Sequence, residues 1–280
     1  MSNININKIY CGDGANLLAN SKLFPDNSID LVVTSPPYAD RRKKHYGGPH
    51  PDDYVKWFMP FTKEIYRILK PNGSFILNIK ENADRGERHI YVLKLVLEIK
   101  ESGWFWIEDY IWHKKNSFPG KWPNRFRDSW EHCFHFTKNK KFIMFQDEVK
   151  VDIGPWANAR LKNLKPKDEK RKMSQTDSGF GIQLNNWVGK DKVYPTNVIH
   201  IPTVSDNKSH CAVFPEDLPA WFIKLFTKKG DIVLDPFIGS GTTAVAAKNL
   251  ERNYIGIDKS QTYVSISLKR LKAKSKSNSK

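Results

Sequence analysis

The chain has 280 residues, 39% of them hydrophobic, enough to bury the core of one large α/β domain with an insertion rather than a pair of small domains. Its 46 Lys and Arg against 30 Asp and Glu leave a formal net charge of +16, which points to a polyanionic partner, nucleic acid ahead of an anionic membrane surface. No apolar run is long enough to span a bilayer, Met1 to Asn5 lacks the features of a secretion signal, and Cys11, Cys133 and Cys211 stand alone, so the reading is of an intracellular protein with neither a disulfide framework nor a Cys-x-x-Cys metal site.

In chain order, Lys8 to Asp13 is a short strand ending in Gly12-Asp13, with a helix beginning near Asn16 that Asp13 is placed to cap. Ile29 to Val33 is a buried strand that must stop, because Pro36 and Pro37 have no N–H to continue a ladder. Each proline also holds the residue before it extended, which leaves the carbonyls of Ser35 and Pro36 to a ligand or to water. A hydroxyl, a free carbonyl and the ring of Tyr38 suit a flat heterocycle bearing an amino group: the ring stacks on Tyr38 while Ser35 Oγ and the Pro36 carbonyl accept the amino hydrogens. An ordinary strand-end turn fits the same residues. The basic run that follows, including Arg41, Arg42, Lys43 and Lys44, leaves directly from this loop and ends at Gly47-Gly48, as a phosphate-gripping strand would.

Tyr54, Phe58, Phe61, Ile65 and Ile68 recur at helical spacing and read as core, with Pro60 as a kink and Pro71-Asn72-Gly73 as the end of the helix. Ser74 to Lys80 is the next strand; Ile90, Leu93, Val96 and Leu97 mark another helix. Phe105 to His113 and Glu131 to Thr137 alternate like the last two strands of a sheet, so His132, Cys133 and His135 read as strand residues, not metal ligands. From about Lys138 to Ser205 periodicity fades into a basic segment containing Arg160, Lys162, Arg171 and Lys172, where target recognition is placed, with a disordered insertion as the alternative.

His210 to Leu218 opens a helix with Trp221, Phe222 and Leu225 on its apolar face; Phe214 and Pro215 suit a hydrophobic staple and a first helical turn. Asp231 to Asp235 is a strand that ends in an acid and runs into Pro236-Phe237-Ile238-Gly239-Ser240-Gly241-Thr242-Thr243, a glycine turn that opens a helix and lets a ligand approach the backbone. Asn253 to Asp258 is a second strand ending in an acid, where a ribose-binding carboxylate would sit. A nicotinamide-dependent oxidoreductase fits that spacing alone but leaves the charge and Ser35 to Tyr38 unexplained.

Together the two stretches resemble the amino-directed DNA methyltransferases, over most of residues 8 to 271. Asp-Pro-Phe-x-Gly-Ser-Gly-Thr-Thr is similar to their S-adenosylmethionine loop, and Ser-Pro-Pro-Tyr to the catalytic loop of the members that act on the N4 amino group of cytosine. With the catalytic stretch first, the order is that of the beta group, whose target-recognition region lies between the two. The resemblance implies a Rossmann-like α/β methyltransferase sheet, mostly parallel with one antiparallel strand, and a basic target-recognition insertion. It divides the chain into a catalytic half (1–137), the insertion (138–205), a cofactor-binding half (206–271) and a basic tail (272–280). It assigns catalysis to Ser35, Pro36, Pro37 and Tyr38. Cofactor binding falls to Asp13, Phe214, Pro215, Asp235, Pro236, Phe237, Gly239, Ser240, Gly241, Thr242 and Asp258. No metal is implied. Methylation at a ring carbon needs a cysteine that follows a proline, whereas Tyr10, His132 and His210 precede the cysteines here. The expected partners are duplex DNA and a cognate restriction endonuclease, in the cytoplasm at the nucleoid. Methylation of adenine N6, favoured where Asp or Asn replaces Ser35, and a non-catalytic nucleic-acid-binding module are the alternatives.

Overall fold

The computed structural model describes residues 4–40, 47–84, 86–116, 120, 123–164, 188–204 and 214–275. They fall into two compact units, one formed by Met1–Phe145 with Asn197–Lys280 and the other by Gln146–Thr196. In the first unit an eight-stranded sheet has the order β1-β12-β11-β2-β3-β7-β6-β10. Its strands are β1 (Lys8–Cys11), β2 (Ile29–Thr34), β3 (Leu69–Ile79), β6 (Phe105–His113), β7 (Trp130–Thr137), β10 (Val198–His200), β11 (Ile232–Asp235) and β12 (Asn253–Asp258). β7 runs antiparallel to both of its neighbours, and every other pairing is parallel, as expected.

The helices lie in two layers, as a sheet with mostly parallel strands requires. In the first, α1 (Gly14–Leu18), α2 (Tyr54–Ile68) and α3 (Tyr91–Glu101) bury Leu18, Phe58, Ile65, Tyr91 and Leu95 against Val32, Phe75, Leu77 and Leu234. The aromatic face expected on α2 is indeed core. In the second, α5 (Asp217–Phe226) packs against α6 (Thr242–Asn249), while Val245 of α6 and Val264 and Leu271 of α7 (Gln261–Ser275) close over Ile9 and Ile238.

Three expectations are corrected. Helix α2 stops at Ile68, and Pro71, Asn72 and Gly73 lie within β3, which opens with a shift of register against β2. Helix α3 forms, but it turns Tyr91, Val92, Leu95, Val96 and Ile99 inward and leaves Ile90, Leu93 and Leu97 exposed, because the first set makes the larger continuous apolar stripe. The strands Phe105–His113 and Trp130–Thr137 are not the last two of the sheet, which has a further strand beyond β6: Val198–His200 pairs with Ile111–His113. On β7, His135 is buried with its Nε2 bonded to Ser74 Oγ at 2.9 Å, and burial pulls its pKa down to about 3.

The second unit pairs β8 (Val151–Asp152) with β9 (Lys192–Val193) and carries α4 (Pro155–Lys162). Asp147 ties it together, accepting from Lys150 Nζ at 2.7 Å and from Tyr194 Oη at 3.1 Å. A short antiparallel pair is formed by β4 (Ala83–Asp84) and β5 (Glu87–Arg88). None of the described helices is long and apolar enough to cross a membrane.

Between the central strands β2 and β11 lies a fully buried carboxylate. Asp235 accepts hydrogen bonds from Thr34 Oγ1 (2.6 Å), Thr243 Oγ1 (2.7 Å) and the Phe237 backbone N–H (3.0 Å). Burial nevertheless outweighs these donors and pushes the carboxyl up to about 6. A folded-state pKa above the unfolded value means that the native chain keeps this proton longer, so its contribution to stability is full in acid and is lost as pH rises through about 6. Asp235→Asn removes the titration. Urea unfolding should show the stability of the wild type relative to this variant falling by up to ~3 kcal/mol between about pH 4 and about pH 7; a difference independent of pH would contradict it.

Candidate active site

The strands β1, β2, β3, β11 and β12 point the same way, so the loops after Cys11, Thr34, Ile79, Asp235 and Asp258 leave from one edge of the sheet, the edge where open α/β sheets hold ligands. There they line a single cavity of about 810 Å³.

One end is built on Ser35-Pro36-Pro37-Tyr38. The Pro37 carbonyl accepts from Tyr54 Oη at 2.9 Å, which fixes the loop to α2, whereas the Pro36 carbonyl has no hydrogen-bond partner among the described residues. Tyr38 donates its hydroxyl proton to Glu131 Oε2 at 2.6 Å. Glu131, only 7% exposed, also accepts from Asn78 Nδ2 at 3.2 Å and from Lys114 Nζ. Burial and then the Glu131 charge push the Tyr38 phenol well above its ordinary range, so it stays a neutral donor. Ser35 Oγ lies 3.4 Å from the Tyr38 oxygen, with its proton directed there. That contact is long and weak, but it leaves the lone pairs of the serine to accept from something else. Trp112, Lys80, Glu81 and Asp128 complete this end.

The other end is the glycine turn and the acids beside it. Gly239 and Gly241 have φ of 51° and 88°, and a Cβ on Gly241 would come within 3.0 Å of Ser267. Helix α7 fixes the turn: Ser267 Oγ donates to the Gly239 carbonyl at 2.7 Å, and Arg270 reaches the Ser240 carbonyl, Ser240 Oγ and Thr242 Oγ1 at 2.8, 2.9 and 3.1 Å. Asp258 accepts from the N–H groups of Gly239 (3.0 Å) and Ser260 (2.8 Å), and burial raises its pKa. Asp13 caps α1 by accepting from the Asn16 N–H at 3.0 Å and lines the cavity as well. Phe237 is packed against Phe61 at 4.7 Å and Trp57 at 5.6 Å between ring centres. An aromatic floor, hydroxyls and two carboxylates form a chamber suited to a nucleoside.

Of the residues expected at the site, Asp13, Ser35, Pro36, Pro37, Tyr38, Phe214, Pro236, Phe237, Gly239, Ser240, Thr242 and Asp258 line the cavity. Asp235, Pro215 and Gly241 are not in its wall: Asp235 is a buried brace, Pro215 is buried at the start of α5, and Gly241 faces Ser267. Arg160 and Lys162 are exposed in the last turn of α4, in the second unit. Arg41, Arg42, Lys43, Lys44, Arg171 and Lys172 lie outside the described residues. The sequence reading missed Asn78, Lys80, Lys114 and Glu131, and also Ser267 and Arg270. The only signal for the first group was polar residues at strand ends, which period-two alternation alone does not separate from solvent-facing positions.

The profile of the DNA methylase family, which groups N6 and N4 enzymes, matches residues 29–269. The chain belongs to that family. Among its relatives, the Type II methyltransferase M.PvuII of Proteus hauseri is 31% identical over 92% of this chain and 82% of its own length. M.BglII of Bacillus subtilis is 34% identical over 93% of this chain and 68% of its own. The solved PvuII DNA methyltransferase, titled as cytosine-N4-specific, superposes with a TM-score of 0.70 at 28% identity, covering 95% of this chain and 86% of that one. The fold expected from the resemblance is thus the fold of a DNA methylase.

In this DNA methylase, Glu131 joins strands β3 and β7 and the Ser35–Tyr38 loop through one carboxylate. Glu131→Ala should lower stability in urea unfolding by roughly 3 kcal/mol, because the Tyr38 hydroxyl loses its close acceptor and a half-buried ion pair is broken. Glu131→Gln, which keeps an acceptor for Tyr38, should cost about half as much or less. Equal losses in the two variants would show that the carboxylate does not act through these bonds.

Proposed function

We propose that the chain transfers a methyl group from S-adenosylmethionine to the exocyclic N4 of a cytosine flipped out of duplex DNA. The observation that carries the proposal is that Ser35 to Tyr38 and the glycine turn wall one cavity. The chemistry of the cofactor end fits the cofactor: Phe237 offers a face to its adenine, Asp258 and Asp13 offer acceptors for its hydroxyl and amino groups, and Phe214 lies along the same wall. When bound there, S-adenosylmethionine supplies an activated sulfonium methyl.

The residues of this chain then perform the following work. Tyr38, anchored by Glu131, presents its ring to the extruded base, whose unstacking costs a few kcal/mol. The Ser35 hydroxyl, its proton turned to Tyr38, and the Pro36 carbonyl, without a hydrogen-bond partner among the described residues, accept the two amino hydrogens. The amino lone pair of cytosine is delocalised into the ring. Two acceptors draw the nitrogen toward tetrahedral geometry and stabilise the positive charge that develops on it during transfer. Alignment of that nitrogen with the methyl group supplies much of the remaining acceleration. Asp235 keeps Thr34, next to Ser35, in register with Phe237.

Target recognition is placed in the insertion, where basic residues including Arg160 and Lys162 grip phosphates and position the duplex, while base-edge contacts from Asn, Gln or Arg carry the sequence. A cognate restriction endonuclease and a cytoplasmic, nucleoid-associated location belong to the same reading, in keeping with relatives named Type II methyltransferases.

Incubating the protein with mixed-sequence duplex DNA and methyl-labelled cofactor, then digesting to nucleosides, should place the label on N4-methylcytosine. Label on N6-methyladenine would overturn the choice of base, and no label would overturn the activity. Ser35→Ala should lower turnover by roughly a hundredfold or more with cofactor affinity unchanged; full turnover would remove the serine from the mechanism.

A further inference from the structure

Lys80 follows β3 at the base end of the cavity and is only 7% exposed. Its Nζ has no hydrogen-bond acceptor among the described residues. The ammonium lies 3.9 Å from the centre of the Trp130 ring and 3.7 Å from Asp128, whose carboxylate is already engaged by Arg88 and Arg125. A buried ammonium with unfilled donors is costly, and burial lowers its pKa. Such a group persists in a binding cavity where the ligand brings the missing acceptor.

Two features identify that acceptor. Strand periodicity puts Lys80 on the same face of β3 as Asn78, whose side-chain oxygen lies 3.4 Å from the Tyr38 hydroxyl, so the ammonium serves the base end and not the cofactor end. The wall around it is acidic, with Glu81, Asp128 and Glu131 against Lys80 and Lys114, which disfavours a phosphate and favours a neutral carbonyl.

We propose that Lys80 distinguishes cytosine from adenine by donating to the ring carbonyl O2 of the flipped cytosine. With the amino group held at Ser35 and Pro36, O2 lies at the far end of the same edge of the ring. Adenine placed with its amino group at the same point presents a C–H there and strands the ammonium. A site built to satisfy a buried polar group rejects the analogue that lacks the matching atom far more strongly than an apolar pocket does. The inference rests on the proposed cytosine methylation and adds the residue that sets the choice of base.

The test uses a duplex carrying the sequence that the wild-type protein methylates, with cytosine or adenine at the target position, under single-turnover conditions. Lys80→Met keeps the length of the side chain over Trp130 and removes the donors. It should slow transfer to cytosine by roughly a hundredfold while leaving transfer to adenine unchanged or faster, with cofactor affinity retained. Lys80→Gln, which keeps a neutral donor, should recover part of the preference. Equal loss on both bases, as expected of a phosphate contact or of a structural role, would overturn the inference, and so would an unchanged cytosine-to-adenine ratio. Wild-type label on adenine alone would instead overturn the parent reading, and with it this one.

Discussion

The hydrogen bonds that Asp235 accepts from Thr34, Thr243 and the Phe237 N–H set the spacing on which the site depends. Ser35 and Phe237 belong to loops separated by about two hundred residues of chain, yet each begins within two residues of a group bonded to this one carboxylate. The parallel pairing of β2 with β11 brings the strands side by side, but pairing alone fixes backbone and not loop direction. The carboxylate supplies the direction, because both of its oxygens are committed to groups on either side of the seam. Its burial makes the brace costly to ionise, and the donors around it keep that cost moderate.

At the base end the same economy recurs with a different group. Glu131 receives the Tyr38 hydroxyl, the Asn78 amide and the Lys114 ammonium, so one side chain on the antiparallel strand settles the orientation of the Ser35–Tyr38 loop, the end of β3 and the end of β6. Tyr38 thereby becomes more than an aromatic surface. With its proton committed to Glu131, its oxygen is left to receive the Ser35 hydroxyl, and the serine oxygen is turned outward as an acceptor. The preference of the serine for accepting over donating follows from a residue ninety-six positions away in sequence.

Much of this was legible in the sequence, for identifiable reasons. Paired prolines after a Val-rich run and a Gly-x-Gly turn after an acid impose backbone conformations that few other residues tolerate, so Ser35 to Tyr38 and Pro236 to Thr242 announce themselves locally. The aromatic stripe of α2 was equally plain. Helix α3 was misoriented because Ile90, Leu93 and Leu97 have the same spacing as the true core face, and only the tertiary surroundings, such as Tyr54 packed on Tyr91 at 4.6 Å, choose between the faces. Strand β10 was lost in a stretch too short for alternation to register. Glu131, Asn78 and Lys80 could not be found, since a buried polar residue at a strand end looks, in one dimension, like a solvated one. Asp235 was expected at the cofactor, and its side chain is taken up by Thr34, Thr243 and the Phe237 N–H, the first of them far from it in sequence.

The grip of α7 on the glycine turn has a consequence for synthesis. Ser267 and Arg270 follow the loop they shape by nearly thirty residues, so on the ribosome the turn emerges before its clasp. Until that helix docks, the carbonyls of Gly239 and Ser240 lack the donors that hold them. A nascent chain therefore has its strands in hand before the wall that the glycine turn gives the cavity is clasped.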